Sequence, residues 1–125
     1  MTFHYGPYLP PAGAIVARIP AGIASKKELL NALATGLGLP AHFGRNWDAL
    51  EESLREFSWA PGARVIAIVH DALPRLPEDE LRTYLEVLSY SAAALRTAKD
   101  RVPSLRLVFP ADARVQVERL VSSQP

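Results

Sequence analysis

Arg64 to His70 (RVIAIVH) is almost unbroken in valine, isoleucine and alanine. A short run of this kind reads as a strand covered on both faces, which places it at the centre of a parallel sheet. Two further runs fit beside it: Ala14 to Ile19 (AIVARI), ended by Pro20, and Ser104 to Phe109 (SLRLVF). The stretches between them are long and carry a helical period. The order strand, helix, helix, strand, helix, strand predicts an α/β fold, a small three-stranded parallel sheet packed with about four helices through right-handed crossovers.

The helices have readable ends. Ser25 followed three residues later by Glu28 forms a capping box, and Leu29, Leu30, Leu33 and Leu37 then share one face before Gly36, Gly38 and Pro40 stop the helix. Asn46 is a good N-cap for a second helix reaching Phe57, in which Trp47, Leu50, Leu54 and Phe57 recur at spacings of three and four. That stripe faces the core, so Asp48, Glu52 and Arg55 lie together on another face, with Glu51 at its margin and Glu56 beyond Glu52. From Glu78 to Ala98, Leu81, Leu85, Leu88, Ala92 and Leu95 keep the helical repeat, and Ser89 and Ser91 allow a break between two helices. Pro110 to Leu120 reads either as a short helix, which is the reading adopted, or as an extended segment.

A chain of 125 residues with 49% hydrophobic and 22% charged residues suits one domain, 1–125. Residues 1–13, with Phe3, His4, Tyr5 and Tyr8 among prolines and glycines, read as an irregular arm laid over the body, and 111–125 as a C-terminal extension. The absence of cysteine excludes disulfides, thiolate metal sites and cysteine nucleophiles. Nothing in the sequence resembles a signal peptide or a membrane span, so a cytoplasmic protein with no membrane association is expected. The net charge of +1 conceals two regions of opposite sign. Asp48, Glu51, Glu52 and Glu56 crowd around one base, Arg55, whereas from Arg96 to Arg119 six bases face three acids. A polarised surface is the expectation.

Leu39 to Leu54, LPAHFGRNWDALEESL, resembles the signature of the barstar family, in which a leucine-proline pair leads through aromatics and glycine into Asn-x-Asp-Ala-Leu on the second helix. The order of elements fits from Ala14 to Phe109. The resemblance implies a non-catalytic protein that blocks a ribonuclease, barnase-like or another toxin nuclease, as a monomer in a 1:1 complex, without cofactor, metal or direct contact with nucleic acid. His42 and Phe43 fall where the family sets two aromatics against the nuclease, Gly44 lets the loop approach closely, and Asn46 starts the helix. Asp48 matches the motif aspartate, and Glu52 stands at the family's strongest acidic contact with one methylene more. Trp47 and Glu51 occupy flanking contact positions, and Phe57, or Trp59 nearby, supplies the aromatic at the helix end. Two positions depart from the pattern: Arg45 replaces a commonly acidic residue, and the family's further acidic contact on its last helix falls near Thr97.

Other readings compete with this one. An acidic helix face is commonly no more than a solvated surface, Asn46 no more than a cap, and Trp47 more often core than contact. An enzyme recruiting His42, Asp48, Glu52 and His70 has proton-transfer groups available, and His70-Asp71 ends a strand where α/β proteins place active groups. The chain has no P-loop, GxGxxG, G-x-S-x-G or HExxH. A third reading is a regulatory or scaffold domain that binds a non-nuclease partner through the same face.

Overall fold

The computed structural model describes residues 3–57, 60, 62–97 and 103–122. In chain order the elements are β1 (Phe3–Tyr5), β2 (Ile15–Ile19), α1 (Lys26–Leu37), α2 (Trp47–Ser53), β3 (Val65–His70), α3 (Glu78–Thr97), β4 (Ser104–Phe109), a 3₁₀ turn (Ala111–Ala113) and α4 (Arg114–Ser122). The four strands are all parallel and lie in the order β1-β4-β3-β2. The expected α/β architecture is therefore present, and β3 is central. The sheet has a short fourth strand, β1, drawn from the arm: Phe3 pairs with Leu107 and Tyr5 with Phe109.

Side chains alternate across a sheet, and here the two faces have different covers. Ile15, Ala17 and Ile19, Ile66 and Ile68, Leu105, Leu107 and Phe109, with Phe3 and Tyr5, belong to one cluster shared with apolar residues of all four helices. The reverse face carries Ala67, Val69 and Val108, and the side chains packed on them are Val16 and Tyr8. The central strand is covered on both faces as its composition demands, but the second cover is the arm.

Chain handedness explains this placement. The crossovers β2 to β3 and β3 to β4 step in one direction across the sheet, and their helices share one layer. Passing from β1 to β2 reverses that direction, so a right-handed connection has to cross the opposite face. Residues 6–14 make that crossing, with Tyr8 as the side chain that seals it.

Local chemistry sets the helix ends. Ser25 Oγ accepts the Glu28 N–H at 3.1 Å and donates to the Glu28 carboxylate at 3.3 Å, a capping box closed through the hydroxyl. Gly38, at φ 71°, ends α1 in the left-handed conformation that glycine adopts without steric cost. At Gly36 the helix meets β2 so closely that a Cβ would lie 2.9 Å from that of Ala17. Two expected boundaries shift. α3 runs unbroken through Ser89 and Ser91, the latter fully buried within the apolar stripe, and the regular part of α2 ends at Ser53, although the Glu56 N–H still reaches the Glu52 carbonyl at 2.9 Å. The segment after Pro110 is helical, as read.

Candidate functional site: a loop and an acidic helix

α2 is short, and three features make it rigid. Asn46 is extended (φ −140°, ψ 173°), and its Oδ1 accepts the Ala49 N–H at 2.7 Å, satisfying one of the helix's orphan donors. Leu50 and Leu54 are fully buried, pinning the inner face of the helix. The Trp47 ring is half-buried, 5.8 Å from the Tyr84 ring, with Lys26 Nζ over it at 5.0 Å from its centroid. Trp47 is therefore wedged between α1 and α3 at the start of the helix.

The loop before α2 is fastened by Arg45. This residue sits at φ 51°, the only left-handed non-glycine among the described residues. Its Nε donates to Asn31 Oδ1 at 2.8 Å and its Nη1 to the Phe43 carbonyl at 3.2 Å, so the guanidinium folds back toward α1. Phe43 is 7% exposed, its N–H bonded to the Pro40 carbonyl at 3.0 Å. The aromatic expected on the contact surface thus props the loop from inside, because its ring belongs to the core cluster against which Leu39 also packs.

On the outer side stand His42, Gly44, Asp48 and Glu52, all exposed. Asp48 and Glu52 are one turn apart and so neighbours on the surface. Among the described residues neither has an ion-pair partner. Glu51 does, with Arg55 at 3.8 Å, and is half-buried; Phe57 is half-buried against the core. A cleft of about 120 Å³ opens between loop and helix, lined by His42, Gly44, Glu52, Ser53 and Glu56 among others. Glu56 adds a carboxylate that the family resemblance does not point to, although its i, i+4 spacing from Glu52 is legible in the chain. Trp59 lies outside the described residues. Thr97, near which the resemblance puts a further acidic contact, is exposed at the end of α3, its hydroxyl donating to the Ala94 carbonyl at 3.1 Å.

Of the residues of the competing enzyme reading, His42, Asp48 and Glu52 share the exposed surface, and His70 does not. His70 is 3% exposed and stacked on Phe109, ring centroids 4.0 Å apart. Its Nδ1 is 2.8 Å from the Val108 carbonyl, which can only accept, so Nδ1 carries the proton and Nε2 accepts the Tyr84 O–H at 2.7 Å. Burial is the main cause holding this imidazole at about 4, below its ordinary 6.5, and burial also pushes the Tyr84 phenol up. His70 is a neutral structural hinge between sheet and α3. Asp71 pairs with Arg18 at 2.9 Å. No group of three or more histidines and carboxylates among the described residues is placed to hold a metal ion, and no helix is long and apolar enough to cross a membrane.

Residues 16–109, about three quarters of the chain, match the family described as Barstar (barnase inhibitor). Neither a curated protein nor a solved structure gives a significant match. The matched region contains α1 to α3, β3, β4, nearly all of β2 and the whole capped loop-and-helix segment, and by that extent the chain belongs to the Barstar family.

Proposed function

We propose that this protein inhibits a ribonuclease by seating the loop from Leu39 to Asn46 and the outer face of α2 in the nuclease's active-site cleft. The reading is supported above all by Asp48 and Glu52, two exposed carboxylates one turn apart, without ion-pair partners among the described residues, on a helix fixed by a cap and two buried leucines. A ribonuclease displays arginine, lysine and histidine where RNA phosphates bind. Carboxylates held in a comparable pattern form charge-assisted, often bidentate hydrogen bonds with those groups. Because the helix is already ordered, little conformational entropy is lost on docking. Inhibition is occlusion by a non-catalytic protein partner, as the family's description as a barnase inhibitor suggests. We assign the contacts to His42, Gly44, Asn46, Asp48 and Glu52, with Trp47, Glu51 and Phe57 at the margin and Phe43 acting from beneath. The protein acts as a monomer in a 1:1 complex, in the cytoplasm, as an antitoxin or immunity protein does.

Titration into an active toxin-type ribonuclease tests this directly. Saturable 1:1 inhibition is expected, with association slowed by added salt. Asp48→Ala and Glu52→Ala each weaken binding by about 2–5 kcal/mol, a general magnitude for desolvated charge pairs to which this family's own prototype complex has contributed. Unchanged affinity in both variants places the contact on another face. A second reading, a non-nuclease partner at the same surface, is favoured by Arg45, at a position the resemblance makes commonly acidic, and by Thr97, near which it puts a further acid; affinity capture with Asp48→Ala as control separates the two.

A further inference from the structure

On the reverse face of the sheet, at the carboxyl ends of the strands, the register sets one row of side chains. Arg18 lies beside Val69, Val69 beside Val108, and Val108 beside His4. Their chain neighbours Ile19 and Phe109 point the other way, into the core under the helices, as strand alternation requires. The Asp71 N–H extends the ladder, bonding the Ile19 carbonyl at 2.9 Å, and so returns the Asp71 side chain to the reverse face. There its Oδ1 accepts Arg18 Nη1 at 2.9 Å.

Neighbouring chains part company at this end. After β1 the arm passes to the reverse face, whereas after β4 the chain enters the 3₁₀ turn and α4 in the helix layer. In open α/β sheets, ligands bind outside the carboxyl ends of the strands where such a divergence leaves a crevice. A cleft of about 460 Å³ opens here, bordered by Tyr8 of the arm, by Val69 and Val108, and by the Arg18–Asp71 pair. Its size falls in the range of roughly 300–1,000 Å³ that small-molecule sites occupy. Neighbouring strands are about 4.8 Å apart, so the row from Arg18 to Val108 spans about 10 Å, room for a planar ring system.

The lining defines the ligand. Val69 and Val108 give an apolar floor on which Tyr8 packs. Among the described residues, Arg18 and Asp71 are the charged groups of the cleft, and they cancel, so an ion gains no net attraction. Their bond uses one guanidinium N–H and one carboxylate oxygen. The side chains stay 63% and 41% exposed, and the other N–H donors and the second oxygen have no partner among the described residues. Donors and acceptors side by side above an apolar floor suit an uncharged planar ligand whose edge carries the complementary pattern. Guanine has that edge: O6 accepts from Arg18 while N1–H and N2–H donate to Asp71, and its face stacks on an aromatic ring.

We infer that this cleft binds a guanine-type base, carried on a free nucleoside or on single-stranded RNA, with Arg18 and Asp71 reading its edge and Tyr8, Val69 and Val108 taking its face. The site lies across the sheet from α2 and shares no residue with the loop or helix assigned to the nuclease, so the two readings stand or fall separately.

The test is an NMR titration of the full chain with guanosine, an uncharged probe that leaves ionic strength constant, reading the Val69 and Val108 methyl groups and Arg18 Nε–H. Saturable shifts at these groups are expected, with inosine, which lacks the N2 amino group, bound about tenfold more weakly. Arg18→Ala and Asp71→Ala each weaken guanosine binding about tenfold, and Tyr8→Ala does so by a similar factor through lost stacking, while the pair Asp48→Ala, Glu52→Ala leaves it unchanged. A thermal melt of each variant checks folding; should Tyr8→Ala release the arm, the exposed positions Arg18 and Asp71 still decide the outcome. In a second arm, a short guanine-rich single-stranded RNA that shifts the same groups identifies RNA as the source, and guanosine binding without RNA binding identifies the free nucleoside. No saturable shift with millimolar guanosine, or unchanged guanosine affinity in Asp71→Ala, overturns the site.

Discussion

His70 makes the stability of this protein depend on pH in a defined window. The imidazole is buried, uncharged, and bonded through both nitrogens, so the folded state takes up its proton only near pH 4, whereas the unfolded chain takes it up at 6.5. Between those values the unfolded state binds more protons, and stability therefore rises with pH. The contribution is fully present above pH 6.5, falls as pH drops through the window, and is lost below about 4. At about 1.4 kcal/mol per pH unit the full effect is about 3 kcal/mol, a large share of the 5–15 kcal/mol that holds a typical domain together. Urea denaturation at half-unit steps from pH 7.5 to 4 measures it. Parallel measurements on His70→Gln remove the contribution of the carboxylates, because the variant keeps them and lacks the titrating ring. The wild type is expected to lose about 3 kcal/mol more than the variant across the window. A difference below about 0.5 kcal/mol, or an NMR titration placing His70 near 6.5, refutes the argument that its buried, doubly bonded setting controls its charge.

Three other substitutions test the packing. Ser91→Ala should stabilise the protein by about 1 kcal/mol in urea melts, because the buried Ser91 hydroxyl has no hydrogen-bond partner among the described residues and alanine is the better helix former. Gly36→Ala sets helix propensity, a gain of about 1 kcal/mol, against a Cβ brought within 2.9 Å of the Ala17 Cβ and 3.1 Å of its Cα; rigid strand atoms cannot yield cheaply, so a net loss of about 1 kcal/mol is expected. Leu50→Ala removes a fully buried anchor of α2 and should cost about 2–5 kcal/mol by urea denaturation, reducing nuclease affinity only to the extent that the helix loosens.

Much of this protein follows from local chemistry, and those parts are legible in the chain. Ser25 with Glu28, Asn46 before Trp47, and the leucine stripes specify helix starts and inner faces, since caps and periodicity involve residues three or four apart. β-branched runs specify β2 and β3, and a short apolar run specifies β4, in the same way, and the outward position of Asp48 and Glu52 follows from helical geometry once Leu50 and Leu54 face inward. What required the tertiary structure depends on partners distant in sequence. β1 is three residues long and becomes a strand only because β4, about a hundred residues later, offers its edge, and the arm's route over the reverse face follows from the handedness of the whole sheet. The burial of Phe43, the Arg45 clamp on Asn31 and the capture of His70 between Val108 and Tyr84 likewise arise from elements brought together only in the folded chain. Local pattern decides which face of a segment turns inward, whereas what that face meets is decided by the packing of all the elements at once.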